Sequence, residues 1–444
     1  MGSQGHEQDD LDLDALARFR ALRPLLRSPG VSAGALLPGG RRWTAADGMA
    51  DVEAAVPVTA ATPMRIGSIT KTFTASAIAL LAERGALDLD DPAVLHLPDL
   101  RGLSTNGHSL RAVTVRRLLL HRSGLVGEPP TRNWLRSPFP GISEILQRID
   151  LAQIAIAPGS AFKYSNLGYA LLGEIVSRAS NDSYERFVQK QLLDPAGLTS
   201  TTFEMPATAA LGYGGSSAAG WVRQKTMEFG GERSAGGMWS TVSDLLRWAE
   251  VAMGEVPDVL SPETAALLRD PDAGRNVDSA PANALGWQLR RSEGHLLCEH
   301  GGGTTGYTCH LAFEPSQRTT AVVLTNGHAQ PEIACLGLLG VRCPARSTFL
   351  PASLPPISPS SPDPVGDYLG PLDFAASIER RTDGELWLTG ELLHEPMGAR
   401  LQPQADDRYL VGAGRFAGEM LTFDRHDDEK IVAFTVAGFR HARG

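Results

Sequence analysis

Arg65-Ile66-Gly67-Ser68-Ile69-Thr70-Lys71, running into the apolar stretch Phe73 to Leu81, is the segment whose reading decides the fold. A serine and a lysine three apart share one face of a helix, which brings the Lys71 amine within reach of the Ser68 hydroxyl. A serine hydroxyl is a weak nucleophile near neutral pH. A base beside it corrects this, helped by a helix N-terminus whose dipole favours a developing anion. The run ends at Gly85, a residue suited to a helix C-cap. Ser160-Ala161-Phe162-Lys163 repeats the spacing. It follows the turn signal Pro158-Gly159, however, and no long amphipathic helix begins there. The surroundings therefore select Ser68 as the nucleophile and leave Ser160 as a coincidence.

Two further clusters bear on chemistry. Tyr164-Ser165-Asn166 lies between the Pro158-Gly159 turn and a helical pattern carrying Leu167, Leu171, Ile175 and Val176. A tyrosine and an asparagine two apart on a bend can face one cleft, the first relaying a proton and the second binding a carbonyl or holding Lys71. The same three residues also read as a capping turn, with Ser165 or Asn166 as N-cap. His300-Gly301-Gly302-Gly303 lies between strand-like runs, Leu296 to Cys298 and Tyr307 to Phe313. Glycines on a strand edge mark a bulge or a close approach by a ligand or another backbone. They equally fit a flexible hairpin loop, or an open edge that binds an extended substrate and aims an N–H at an oxyanion.

Together, S-x-x-K, Y-x-N and H-G-G in this order resemble the serine β-lactamase and penicillin-binding-protein superfamily, in its class C β-lactamase-like and esterase branch. The likeness extends over roughly residues 30 to 330. It includes Thr114 to Leu125, similar to a helix-and-turn segment of that family, and Ser234 to Thr241, similar to its glycine-rich turn. The resemblance implies Ser68 as acylated nucleophile, Lys71 as base and Tyr164 as proton relay. It implies Asn166 as a substrate-amide contact, and backbone N–H groups of Ser68 and Gly303, with Gly302 beside them, as oxyanion hole. His300 stands where many relatives carry lysine. Less fixed positive charge then awaits a substrate carboxylate, which argues against strong β-lactamase activity.

A chain of 444 residues is comfortable for two domains. Its net charge of −9 argues against nucleic-acid and anionic-membrane partners, which want basic patches. Met1 to Asp14 shows no basic, apolar or cleavage-site pattern of a signal peptide, so a cytoplasmic location is expected. Cys298, Cys309, Cys335 and Cys343 are expected as free thiols. If the strands around the glycines pair symmetrically, Cys298 and Cys309 face each other. His295, Cys298 and His300 raise a metal site, but no established ligand spacing supports one, and neither metal nor cofactor is expected.

Gly34 to Leu37 and Trp43 to Ala46 flank Pro38-Gly39-Gly40 as a strand hairpin, and Thr320 to Leu324 reads as a central strand. Helical patterns dominate from Ser68 to Ala196, and Thr241 with Asp244 caps another helix. The expected fold class is α+β: a β-lactamase-like catalytic domain, an antiparallel sheet with a helical cluster, over residues 1–345. A Pro/Ser-rich linker follows over 346–364. Residues 365–444 alternate as short hairpins, a small antiparallel β-barrel similar to the lipocalin-like domain appended to some members of the superfamily.

The absence of a leader pattern and the appended barrel look like the penicillin-binding-protein-type thioesterases of nonribosomal peptide assembly. That likeness implies a peptidyl thioester ending in a D-residue, a carrier-protein domain as partner, and head-to-tail closure to a macrolactam. Arg440, or Arg443, would then hold a peptide carboxylate or carbonyl. The alternatives are an esterase or D-amino-acid-specific peptidase of the same branch, and a catalytically silent peptide-binding relative. Loss of the barrel is expected to affect cyclisation or substrate choice more than acylation by a small ester.

Overall fold

In the computed structural model, residues 14–130, 137–216, 220–271, 282–341 and 363–369 are described. So are 375–382, 384–390, 398–405, 407–413, 415–425, 430–436 and 439–443. Most of the Pro/Ser-rich linker, Cys343, Asp383 and Asp427-Asp428 thus lie outside the described residues. The chain divides into two compact units. The first is Met1–Leu87, Val176–Met227 and Arg233–Pro344; the second is Asp88–Ile175, Glu228–Glu232 and Ala345–Gly444.

The first unit is built on an eight-stranded antiparallel sheet. Its strands are β1 (Gly30–Leu37), β2 (Arg41–Asp51), β3 (Val56–Pro57), β4 (Ala282–Asn283), β5 (Gln288–Ser292), β6 (His295–Thr304), β7 (Tyr307–Glu314) and β8 (Thr319–Thr325). They lie in the order β3-β2-β1-β8-β7-β6-β5-β4, so N- and C-terminal strands meet at the β1–β8 pair, and Thr320 to Leu324 is central as expected. Both faces are covered, which is why β8 is buried at six successive positions. On one face Phe19, Leu26, Val31, Ala33 and Val323 pack with Ala334 and Leu336 of the helix Pro331–Leu338. On the other lies α3 (Val242–Met253), capped by Thr241, whose side chain accepts the Asp244 N–H. Helix and strand approach so closely that a Cβ on Gly34 would stand 2.2 Å from Val242 Cγ1.

Thr70–Glu83 forms α1, and every residue from Thr70 to Leu81 is buried. Phe73 stacks on Trp248 of α3 at 3.9 Å, and the Trp248 indole donates to Thr72 Oγ1 at 2.9 Å. An aromatic stack of this kind adds about 1 kcal/mol beyond area burial. The helix ends at Arg84 with Gly85 at φ +71°, the C-terminal glycine read from sequence.

The symmetric pairing of Cys298 with Cys309 does not occur. Thr304 pairs with Tyr307 across the tight turn Thr305-Gly306, and this register sets Cys298 opposite Phe313 and Cys309 opposite Gly302. Gly306, at φ +80°, makes the turn, three residues beyond the glycines expected to hold it. Cys298, Cys309 and Cys335 are free and buried.

In the second unit, short helical segments precede residue 166 among the described residues, one of them Val115–Leu119, capped by Thr114. Bidentate hydrogen bonds from Arg116 to Asp90 tie this segment down. The C-terminal residues close an antiparallel barrel of eight strands in sequential order, from Gly366–Leu369 to Phe439–Arg443, as the alternating pattern predicts. Eight strands leave an interior that side chains can fill. Tyr368, Ile378, Leu388, Phe416, Phe423 and Phe434 occupy it.

Candidate active site

The first unit carries Ser68, the candidate nucleophile. Ser68 sits in a 3-10 turn, Gly67–Ile69, that leads directly into α1, so it stands at a helix N-terminus. It is partly exposed between buried neighbours. Lys71, one turn on, is fully buried; its Nζ donates to Ser68 Oγ at 3.3 Å and to Ala235 O at 2.6 Å. Ala235 belongs to the Ser234–Met238 turn. This turn is bound to α1 through Thr74 Oγ1 to Ser234 O (2.7 Å) and Met238 N–H to Thr70 Oγ1 (3.2 Å). Beneath it the buried Arg65 guanidinium donates to Gly237 O and Met227 O and lies 4.5 Å from the Trp239 ring. The sequence singled out this turn but not its task, which is to supply the carbonyl that fixes Lys71.

The glycines of β6 lie against the serine turn. A Cβ on Gly302 would stand 2.0 Å from Ile66 O, and one on Gly67 would stand 2.8 Å from Gly303 N. Only glycine permits such backbone contact. β5 pairs with β6 over His295–Glu299 and not beyond, so Gly301–Thr304 is free of that strand. Gly303 N and the Ser68 turn therefore lie together at a helix N-terminus, the arrangement that stabilises an oxyanion.

His300, on the same strand, is buried, and its Nδ1 lies 2.7 Å from Gly301 O. A carbonyl only accepts, so Nδ1 carries the proton and Nε2 is an acceptor. Burial, and next the charge of Lys71, push its imidazole down to about 3. At neutral pH His300 is an uncharged ring. The opposite face of β6 holds Glu299, which accepts from Arg290 at 2.8 Å and lies 3.3 Å from His310 Nε2. Burial pushes the Glu299 carboxyl up, but His310 and Arg290 more than offset this and hold it near about 2. His295 faces away from Cys298 and His300 and pairs with Glu314 at 2.8 Å. Among the described residues no group of three metal-binding side chains occurs.

The second unit holds the Tyr-x-Asn segment. Ser165 caps the helix α2 (Asn166–Ser180), its Oγ accepting the Gly168 N–H at 2.9 Å. Tyr164 is partly exposed and stacks on His121 at 4.2 Å. His121 Nδ1 accepts the Ser165 N–H at 3.0 Å, and its backbone takes φ +54° to do so. Asn166 Nδ2 donates to both oxygens of buried Glu128, at 2.9 and 3.0 Å. That orientation turns the amide oxygen, an acceptor, to the other side. Tyr169, whose phenol donates to Leu119 O, braces the helix start. His121 and Glu128 brace Tyr164 and Asn166, and the sequence reading gave neither a role; His121 lies in the Thr114 to Leu125 segment it quoted. Ser160, by contrast, is exposed and donates to Ala157 O, while Lys163 is buried elsewhere. The Arg440 side chain lies outside the described residues.

The beta-lactamase family model matches residues 19–338, and the chain belongs to that family of serine hydrolases. Protein flp of Staphylococcus aureus (strain COL) is 28% identical over 283 residues, 63% of this chain and 56% of flp. The chain thus spans little more than half of that relative. Among solved structures, SurE superposes with a TM-score of 0.65 at 23% identity, covering 100% of both chains; a structure of SurE with D-Leu gives 0.63. A D-stereospecific amidohydrolase from Streptomyces sp. gives 0.59 at 24% identity, over 70% of this chain and 94% of its own. These likenesses show the fold. Among the described residues no helix is long and apolar enough to cross a membrane.

Proposed function

We propose that this protein is a serine acyl-transfer enzyme of the penicillin-binding-protein thioesterase type, which closes a peptidyl thioester ending in a D-residue into a head-to-tail macrolactam. The observation that carries the reading is the Ser68–Lys71–Ala235 arrangement backed onto Gly302 and Gly303. In the reaction, Lys71 serves as the base that takes the Ser68 proton as Oγ bonds to the thioester carbon. The C–S bond breaks, and the thiolate leaves with a proton relayed by Tyr164. The resulting ester is attacked by the peptide's own amine; the amide forms, the Ser68 C–O bond breaks, and the amine's proton returns to Oγ. The N–H groups of Ser68 and Gly303 hold the oxyanion in both halves.

The likeness to SurE extends over the full length of both chains, so the reading takes in the C-terminal barrel as well as the Ser68 unit. The D-Leu bound to SurE and the D-stereospecificity of the Streptomyces amidohydrolase support a D-residue at the acyl position. Neutral His300 supports a substrate whose leaving group carries no carboxylate beside the reacting carbonyl, as a carrier-bound thioester does. The test is a peptidyl thioester ending in a D-residue, with products weighed by mass spectrometry. A cyclic product, lighter than the free acid by one water, supports the reading. The amidohydrolase likeness favours a second reading, a D-specific hydrolase or esterase, in which only linear acid appears. A silent binder would leave Ser68 unlabelled by a fluorophosphonate.

A further inference from the structure

Lys163, the lysine of the unused S-x-x-K match, is held by the barrel. Its Nζ donates to Glu419 Oε1 at 2.6 Å and to Arg415 O at 3.1 Å, and the two side chains are 0% and 6% exposed. The same Glu419 oxygen accepts the Gly127 N–H at 2.8 Å. A charge pair so far from water persists only where further hydrogen bonds match it. The turn that delivers it, Arg415 to Gly418, joins the strands Arg408–Val411 and Met420–Arg425. Phe416 roots the turn in the barrel core. Gly418, at φ +74°, lies so near residue 155 that a Cβ would stand 2.4 Å from Ala155 O.

What the turn grips is the Tyr-x-Asn segment. The Gly127 carbonyl accepts the N–H groups of Asn166 at 2.7 Å and Leu167 at 3.2 Å, so Glu419 and the start of α2 hold opposite sides of one glycine. Arg415 Nη2 donates to Glu128 Oε1 at 3.1 Å, the carboxylate that orients the Asn166 amide. The Arg415 guanidinium also lies 5.0 Å from the centre of the Tyr164 ring. Mere fastening of a module would need apolar contact. Here two charged groups of one turn bear on Lys163, the residue before the motif, and on Glu128, which orients Asn166.

We propose that the barrel turn Arg415–Glu419 is the positioning element for Tyr164 and Asn166, so that the barrel is a working part of acyl transfer. This rests on the reading that Ser68 acyl transfer uses those two residues. The test uses the full chain and a p-nitrophenyl ester, with kcat, KM, melting temperature and fluorophosphonate labelling read for each variant. Arg415→Ala is expected to lower kcat about tenfold, as misplaced catalytic groups do. KM should stay within about twofold and the melting temperature within about 2 °C. Arg415→Lys should recover part of kcat, since an ammonium still reaches Glu128 without the guanidinium fork.

Glu419→Gln should lower kcat likewise. If it fails to fold, Lys163→Met with Glu419→Gln removes both buried charges while a Gln oxygen still meets the Gly127 N–H; this pair should fold and keep measurable turnover below wild type. Wild-type kcat and KM in both Arg415→Ala and the double variant would overturn the proposal. Ser68→Ala separates this from failure of the underlying reading. An inert, unlabelled Ser68→Ala beside a wild-type-like Arg415→Ala sinks the positioning role alone, whereas a labelled, active Ser68→Ala sinks acyl transfer through Ser68 itself.

Discussion

Gly302→Ala is the sharpest perturbation of the oxyanion site, because it adds one carbon where two backbones touch. That Cβ would stand 2.0 Å from Ile66 O and 2.6 Å from Cys309 Sγ. Unbonded carbon and oxygen seldom come closer than about 3 Å, so β6 must retreat by about 1 Å. The thiol side chain can yield by rotating; the Ile66 carbonyl cannot, since its residue is held by its own N–H to Met238 O. The retreat carries Gly303 N with it, away from the Ser68 turn. Loss of one oxyanion donor costs about 2.7–4 kcal/mol, or a fall in kcat of roughly 10²–10³. Gly303→Ala is the comparison: nothing lies within 4 Å of its Cβ position, so the backbone need not move. The assay is pre-steady-state acylation by a p-nitrophenyl ester, run well below the melting temperature of each variant. Wild-type acylation by Gly302→Ala, or a larger loss in Gly303→Ala, would refute the assignment of Gly303 N as a donor.

Ser68→Ala should abolish ester turnover while the circular dichroism spectrum and melting temperature stay as in the wild type. Tyr164→Phe should lower kcat by roughly 10²–10⁴, the scale of lost acid–base catalysis, and a change below tenfold would remove it from the relay. Ser160→Ala should shift stability by no more than about 0.5 kcal/mol. Lys163→Met, leaving Glu419 buried without its cation, should cost about 3–5 kcal/mol in denaturant unfolding. His300 binds its proton less readily folded than unfolded, so its contribution is complete above pH 6.5 and is lost as pH falls towards about 3. Between pH 6.5 and 4.5 the wild type should therefore lose up to about 2 kcal/mol more than His300→Gln in urea unfolding.

Local patterns told most of the fold. The apolar run after Lys71, the Pro38-Gly39-Gly40 hairpin, the Thr241 cap and the alternating C-terminal strands each carry their signal within a dozen residues, and each formed as expected. The Cys298–Cys309 register failed because a three-glycine run marks a turn and a close contact with equal force. Gly306 took the turn, and Gly302 was needed against Ile66. What stayed hidden was every group that supports the motifs from far along the chain. Ala235 O acts on Lys71 from 164 residues away, and Glu419 acts on Gly127 from 292. Neither a carbonyl nor a lone glutamate announces such a role in its own neighbourhood.

The two S-x-x-K matches make the point concrete. Each places a buried lysine three residues after a serine, and spacing cannot tell them apart. At Lys71 the fold supplies the Ala235 carbonyl and the serine hydroxyl as acceptors beside the candidate nucleophile. At Lys163 it supplies the Glu419 carboxylate, and this buried ion pair makes the residue a fixture. Chemistry at the first and anchorage at the second thus follow from the group opposite the lysine. The anchorage lies next in sequence to Tyr164, so the ion pair that occupies Lys163 also suits it to hold its neighbour in place.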